Sequence, residues 1–149
     1  MAVILELQNP AGFDDLPTEA RFRAWVEAAL CRPFDALEQT VRIVDSAESG
    51  ALNARYRGKQ GATNVLSFPA DDTLLDYRCL GDLVVCAPLV VEEAAARGVP
   101  DEAHWAHLVV HGMLHLQGYD HEDAGDAAIM EALEAKILST LGYTNPYND

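Results

Sequence analysis

Residues 80–121 read LGDLVVCAPLVVEEAAARGVPDEAHWAHLVVHGMLHLQGYDH, and the fold turns on how this stretch divides. Leu80-Gly-Asp-Leu-Val-Val-Cys86 is a nearly continuous apolar run of strand length, the pattern of a strand buried on both faces. Helices are predicted after it, at about 88–97 and 101–117, and Gly118 is placed to end the second in a left-handed turn. A further helix is predicted over about 123–141, where Met130 shares a helical face with Leu133 and Ile137 and reads as core.

Working back toward the N-terminus, Ala2 to Gln8 reads as a first strand. Leu16-Pro-Thr-Glu19 opens a helix whose Phe22, Trp25, Val26, Ala29 and Leu30 recur at helical spacing, with Pro33 as its stop. Thr40-Val-Arg-Ile-Val-Asp45 alternates as a half-buried strand. Asp45 and Glu48 have the spacing of a capping box, so a short helix is predicted over about 46–56. Asn64-Val-Leu-Ser-Phe68 reads as a strand closed by Pro69, and 71–78 as an irregular surface loop. Strands interleave with helices in the first half and helices fill the second. That order implies an α+β fold, a small four-stranded mixed sheet covered by about six helices, in one domain over residues 1–149.

Half of the 149 residues are apolar, enough for a packed core and too interrupted for a membrane span. The N-terminus lacks the basic start and long apolar stretch of a signal peptide, so a cytoplasmic address and no membrane partner are expected. Cys31, Cys79 and Cys86 are odd in number and widely spaced, which argues against a disulfide frame or a thiolate metal site. A net charge of −14 argues at first against nucleic acid, and DNA is not expected as a partner. The charge is uneven, however. Arg55, Arg57 and Lys59 fall within five positions, forming the one local basic spot where phosphate contact is expected.

The five histidines all lie between residues 104 and 121. His111 and His115, four apart on one helix, share a face and can reach one ion. His121 follows the glycine turn and can swing back toward them. Three neutral imidazoles leave a tetrahedral zinc one open position, the arrangement of a catalytic site, although imidazole suits nickel and other divalent ions too. His107 sits about 12 Å back along the axis from His115, so it is read as buried behind the ligands rather than as one of them. His104 is read as a surface residue at the helix start. Asp120 is assigned either to orienting a ligand or to capping the last helix, and Asp82 to a structural strand end.

The pattern H-x3-H-x5-H resembles the metal helix of metzincin peptidases, except that those carry a glutamate base directly after the first histidine and this chain has Gly112. His111-Gly-Met-Leu-His-Leu-Gln-Gly-Tyr-Asp-His121 also resembles the signature of the YbeY family of bacterial rRNA maturation factors. Leu52-Asn53, Tyr56-Arg-Gly-Lys59, Thr63-Asn-Val-Leu-Ser-Phe-Pro69, Leu80-Gly-Asp82, Ala106-His-Leu108 and Leu141-Gly-Tyr143 extend that resemblance over the chain from about Ile43 onward, the N-terminal third being weaker. The resemblance implies a zincin-like fold and a cytoplasmic, zinc-dependent, single-strand-specific endoribonuclease acting in 16S rRNA 3′-end maturation and 30S quality control, with the small ribosomal subunit and its proteins as partners. It implies one zinc on His111, His115 and His121, with Arg57 as the important arginine. From the residues themselves, the Arg57 guanidinium can fork onto phosphate oxygens, Lys59 can add a point charge, and Asn64 or Ser67 can hydrogen-bond substrate from a strand edge. Two other readings remain: a metal-stabilised, non-catalytic ribosome-assembly factor, which the acidic surface favours, and a zinc peptidase, which Gly112 disfavours.

Overall fold

Alternating apolar residues place β1 (Ala2–Gln8) and β2 (Ala36–Val44) side by side in parallel, and β2 pairs in parallel with β4 (Cys79–Cys86). The short β3 (Val65–Pro69) runs antiparallel along the outer edge of β4, so the sheet order is β1-β2-β4-β3. This computed structural model describes residues 2–32, 34, 36–70, 79–120 and 122–147. The expected surface loop at 71–78, the stop at Pro33 and the ligand His121 lie outside them. Five helices are described, against the six or so expected: α1 (Glu19–Ala28), α2 (Ser46–Arg57), α3 (Ala87–Arg97), α4 (Asp101–Leu116) and α5 (Ala124–Thr140). The α+β class with a mixed four-stranded sheet holds.

β4 is buried on both faces, as its composition requires. Leu83 and Val85 enter the main core, while Val84 and Cys86 join Val44 and Leu66 in a smaller cluster on the other side. β2 begins four residues earlier than its alternation suggested, because pairing with β1 continues back to Ala36. Gln39, a buried polar residue in that extension, donates through Nε2 to the Gly81 carbonyl at 2.9 Å, while its Oε1 has no partner among the described residues.

α4 is the centre of the molecule. Trp105, Leu108, Val109, Val110, Met113 and Leu114 bury apolar surface all round it, and it packs on β3, β4, α1, α3 and α5. Its C-terminus closes as the sequence predicts. Gly118 takes φ +100°, its amide reaches the His115 carbonyl and the Tyr119 amide reaches Leu114, a Schellman turn. Gln117 then ties this turn to the end of α1: its Nε2 donates to the Ala29 carbonyl at 2.7 Å and its Oε1 accepts from the Cys31 amide at 2.8 Å. Among the described residues no helix is long and apolar enough to cross a membrane.

Local capping is only partly as expected. Asp45 accepts from the Glu48 amide at 2.8 Å, but the Glu48 carboxylate does not complete the box. It turns instead to Arg42, which donates to it from Nε at 2.6 Å and from Nη2 at 3.2 Å. A bidentate ion pair outcompetes one hydrogen bond to a cap amide.

Candidate metal centre and its surroundings

Four histidines, His104, His107, His111 and His115, recur along one stripe of α4, with ring centroids 6.0, 6.3 and 4.6 Å apart in turn. The first two are closed in by neighbouring helices. His104 is 4% exposed, so its expected place on the surface is corrected. α3 packs over the start of α4, and Glu93 on α3 meets His104 Nε2 at 2.8 Å. His107 is buried, as expected, and its Nε2 faces Glu134 Oε1 on α5 at 3.1 Å.

Glu134 is fully buried. Its Oε1 also meets His111 Nδ1 at 2.8 Å, and its Oε2 accepts from the Tyr147 hydroxyl at 2.8 Å. Burial alone would raise its pKa, but the hydrogen bonds from His107 and His111 outweigh that and hold it at about 2. It is therefore an acceptor only, so the ring nitrogens facing it carry the protons. Burial, with the Glu134 charge beside it, pushes the Tyr147 phenol in the opposite direction, upward. His104 is pushed downward by burial, against the opposing pull of its bond to Glu93.

With Nδ1 of His111 committed to Glu134, Nε2 is left as the nitrogen with a lone pair. It faces His115 Nε2 at 3.1 Å. Two imidazoles bound at about 2.0–2.1 Å to one tetrahedral zinc would hold their nitrogens roughly 3.3 Å apart. The pair thus fits a shared cation, and the donors have the right chemistry. Among the described residues no third His, Cys, Asp or Glu joins them as a cage. His121, the expected third donor, lies outside those residues. Asp120 does not cap α5, since Asp123 does so by accepting from the Asp126 amide at 2.8 Å.

Gly112, next to His111, points into the sheet rather than into the cleft. A Cβ there would lie 2.7 Å from Leu83 Cδ2, 3.3 Å from Ser67 Oγ and 3.3 Å from Val65 Cγ2. The missing protease base thus coincides with tight packing: a side chain at 112 would force Leu83 to shift and would crowd Ser67 and Val65. Ser67 uses the closeness, donating from Oγ to the Gly112 carbonyl at 3.1 Å.

The basic segment is built differently. α2 ends at Arg57, with Gly58 in the left-handed region and Lys59 just beyond; all three are exposed. The following loop is pinned back on α2. Asn53 donates to the Gly61 carbonyl at 2.9 Å, and the Ser49 hydroxyl exchanges bonds with Thr63 at 2.7 and 2.9 Å. Tyr56 packs edge-on against Phe68 of β3, ring centroids 5.2 Å apart. A short chain of contacts, Tyr56 to Phe68 and Ser67 to Gly112, therefore links the basic helix end to the histidine helix. Asn64 donates through Nδ2 to Glu93 at 3.0 Å. It shares with Glu93, Arg97, His104, His111 and Tyr147 the lining of a cavity of about 310 Å³, whose walls include neither Arg57 nor Lys59.

Glu134 and Tyr147 were missed in the sequence. Glu134 had a readable signal, because it falls in the buried phase of α5 with Met130, Ile137 and Leu138, where an acid needs a partner. Tyr147 lies beyond α5 in irregular chain and had none.

The fold and site together define a class: an α+β domain whose central helix presents paired imidazoles, one wired to a buried carboxylate, beside a sheet edge. The solution structure of TM1509 from Thermotoga maritima has the same fold, with a TM-score of 0.52 at 20% identity and 99% of both chains covered. The sequence model of the family described as Endoribonuclease YbeY matches residues 8–142. A protein of Methylococcus capsulatus named Endoribonuclease YbeY is 57% identical over 146 residues, spanning 97% of this chain and 95% of its own. Proteins of the same name from Pseudomonas putida and Nitrosococcus oceani are 55% and 47% identical, over 89% and 99% of this chain and 86% and 98% of their own. The chain belongs to the YbeY family of endoribonucleases, hydrolases that act on RNA.

Proposed function

We propose that this protein is a metal-dependent endoribonuclease that cuts single-stranded RNA, with His111, His115 and His121 holding one zinc ion. The observation that carries the metal reading is the facing of the two Nε2 atoms at 3.1 Å, with His111 wired through Nδ1 to Glu134. Two lone pairs at that distance repel unless a cation or a proton lies between them. When bound, the ion would supply Lewis acidity and acidify a water toward neutral pH. Zinc is preferred on ligand chemistry, and nickel is compatible with the same donors.

The chain's own residues supply the rest. Arg57, exposed at a rigid helix end, offers a planar fork for phosphate oxygens where charge accumulates. Lys59 adds a point charge one turn-residue away. On the β3 side of the histidine helix, the Asn64 side-chain oxygen Oδ1 and the Ser67 hydroxyl, whose proton goes to the Gly112 carbonyl, are assigned as acceptors for substrate. The relatives' shared name supports an RNA substrate; the family resemblance extends this to rRNA processing, 16S 3′-end maturation and 30S quality control, in the cytoplasm, on the small ribosomal subunit. A purely structural role in ribosome assembly is favoured by one observation, the −14 charge, which suits docking on basic ribosomal proteins.

Elemental analysis of purified protein, paired with cleavage of a single-stranded rRNA fragment, tests the enzyme reading. We expect about one divalent ion per chain, loss of cleavage with chelator, and loss of both in His115→Ala. Cleavage that survives His115→Ala in pure protein, or pre-ribosome binding with no wild-type cleavage, would defeat it.

A further inference from the structure

We propose that Glu134 is the positioning residue of the metal site, fixing His111 in the tautomer that offers Nε2 to the ion. The inference rests on the metal site proposed above and concerns what holds that site rather than what it does. Glu134 is fully buried on α5 and touches His111 through the nitrogen opposite the ligand face. A carboxylate behind an imidazole both orients the ring and raises its basicity toward a metal.

The rest of the network makes sense only if that carboxylate must stay in place. Tyr147 reaches back from beyond α5 to donate to Oε2, and Arg97 Nη2 holds the tail by donating to the Pro146 carbonyl at 2.7 Å. His107 Nε2 shares Oε1 with His111, at 3.1 Å. The other nitrogen of His107, Nδ1, is buried with no hydrogen-bond partner among the described residues. A proton there would be a buried, unsatisfied donor, which places the His107 N–H on Nε2, toward Glu134. It is thereby committed as a second donor and is not a ligand. Three donors on two oxygens fix the carboxylate from both sides.

A filler of the core and a positioning residue respond differently to Glu134→Gln, which keeps shape and volume and removes the charge. The affinity of zinc, by competition with a chromophoric chelator, and the visible spectrum of the cobalt(II) form should be measured for wild type, Glu134→Gln, Tyr147→Phe and His115→Ala. Expected are affinity roughly 10- to 100-fold weaker in Glu134→Gln with weakened cobalt bands, a smaller loss in Tyr147→Phe, and no comparable binding in His115→Ala. Wild-type zinc affinity and an unchanged cobalt spectrum in a folded Glu134→Gln protein would overturn the proposal. Full binding by His115→Ala would instead remove the metal site itself, and the proposal with it. If Glu134→Gln does not fold, the histidine ¹⁵N–¹H spectrum of metal-free wild type decides. A proton on Nδ1 of His111 is the expected result, and one on Nε2 alone refutes it.

Discussion

The histidine face of α4 and the basic end of α2 are neighbours built on opposite plans. The first is cross-braced and buried at His104 and His107: His104 is paired with Glu93, and His107 and the half-buried His111 are both held by one buried carboxylate. The second is exposed, its backbone pinned by Asn53 and Ser49 while the Arg57 and Lys59 side chains extend into solvent. The difference fits what each is proposed to hold. An ion wants fixed lone pairs out of competition with water, whereas a polyanion that must arrive and leave wants long cations on a rigid base. Changes in the first region should therefore disturb folding and metal together, and changes in the second should touch catalysis alone.

The strongest way to break that contrast is to install the protease glutamate, Gly112→Glu. Leu83, Ser67 and Val65 fill the space, so the variant should lose more than about 4 kcal/mol and be largely unfolded by circular dichroism. A folded variant that cut peptides would show that position 112 faces the cleft after all. Next in size, Arg57→Ala should lower kcat for RNA by about 10²–10³-fold, as for removal of one transition-state charge partner. Its thermal midpoint and zinc content should match wild type; a drop in either would mean that this helix end is structural.

The smallest effect sharpens the buried side. His104 has its pKa lowered in the folded state, by burial first, with Glu93 opposing and His107 and Arg97 adding to the lowering. Below the ordinary histidine value near 6.5, the unfolded chain takes up a proton that the folded chain does not. Stability should thus fall as pH drops from about 6.5 to the lowered folded value, by at most about 1.4 kcal/mol per pH unit for one proton. Urea unfolding across that range should show this slope, and His104→Asn should lose its share of it.

How much of this was legible depended on range. α4 and its Schellman end could be read because apolar spacing and Gly118 are local signals. β4 could be read for the same reason, its near-unbroken apolar run having one physical solution. The imidazole pair was legible because four residues make one helical turn. What escaped needed a partner far along the chain. His104 looked like a surface residue until α3 lay over it, and Glu134 looked like one more acid in an acidic helix until its phase was set against His107, 27 residues away. Glu48 shows a different limit, since its cap role lost to Arg42, six residues away but on another element.

Gln117 carries a consequence of another kind. Its amide grips two backbone atoms at the end of α1, the Ala29 carbonyl and the Cys31 amide. The grip registers the path of that chain and is blind to its side chains. That stretch can thus change its side chains and still hold the turn at the end of α4 in place. A shift in that path would re-aim the turn with every histidine unchanged, so a backbone change near Ala29 acts at a distance on the end of the histidine helix.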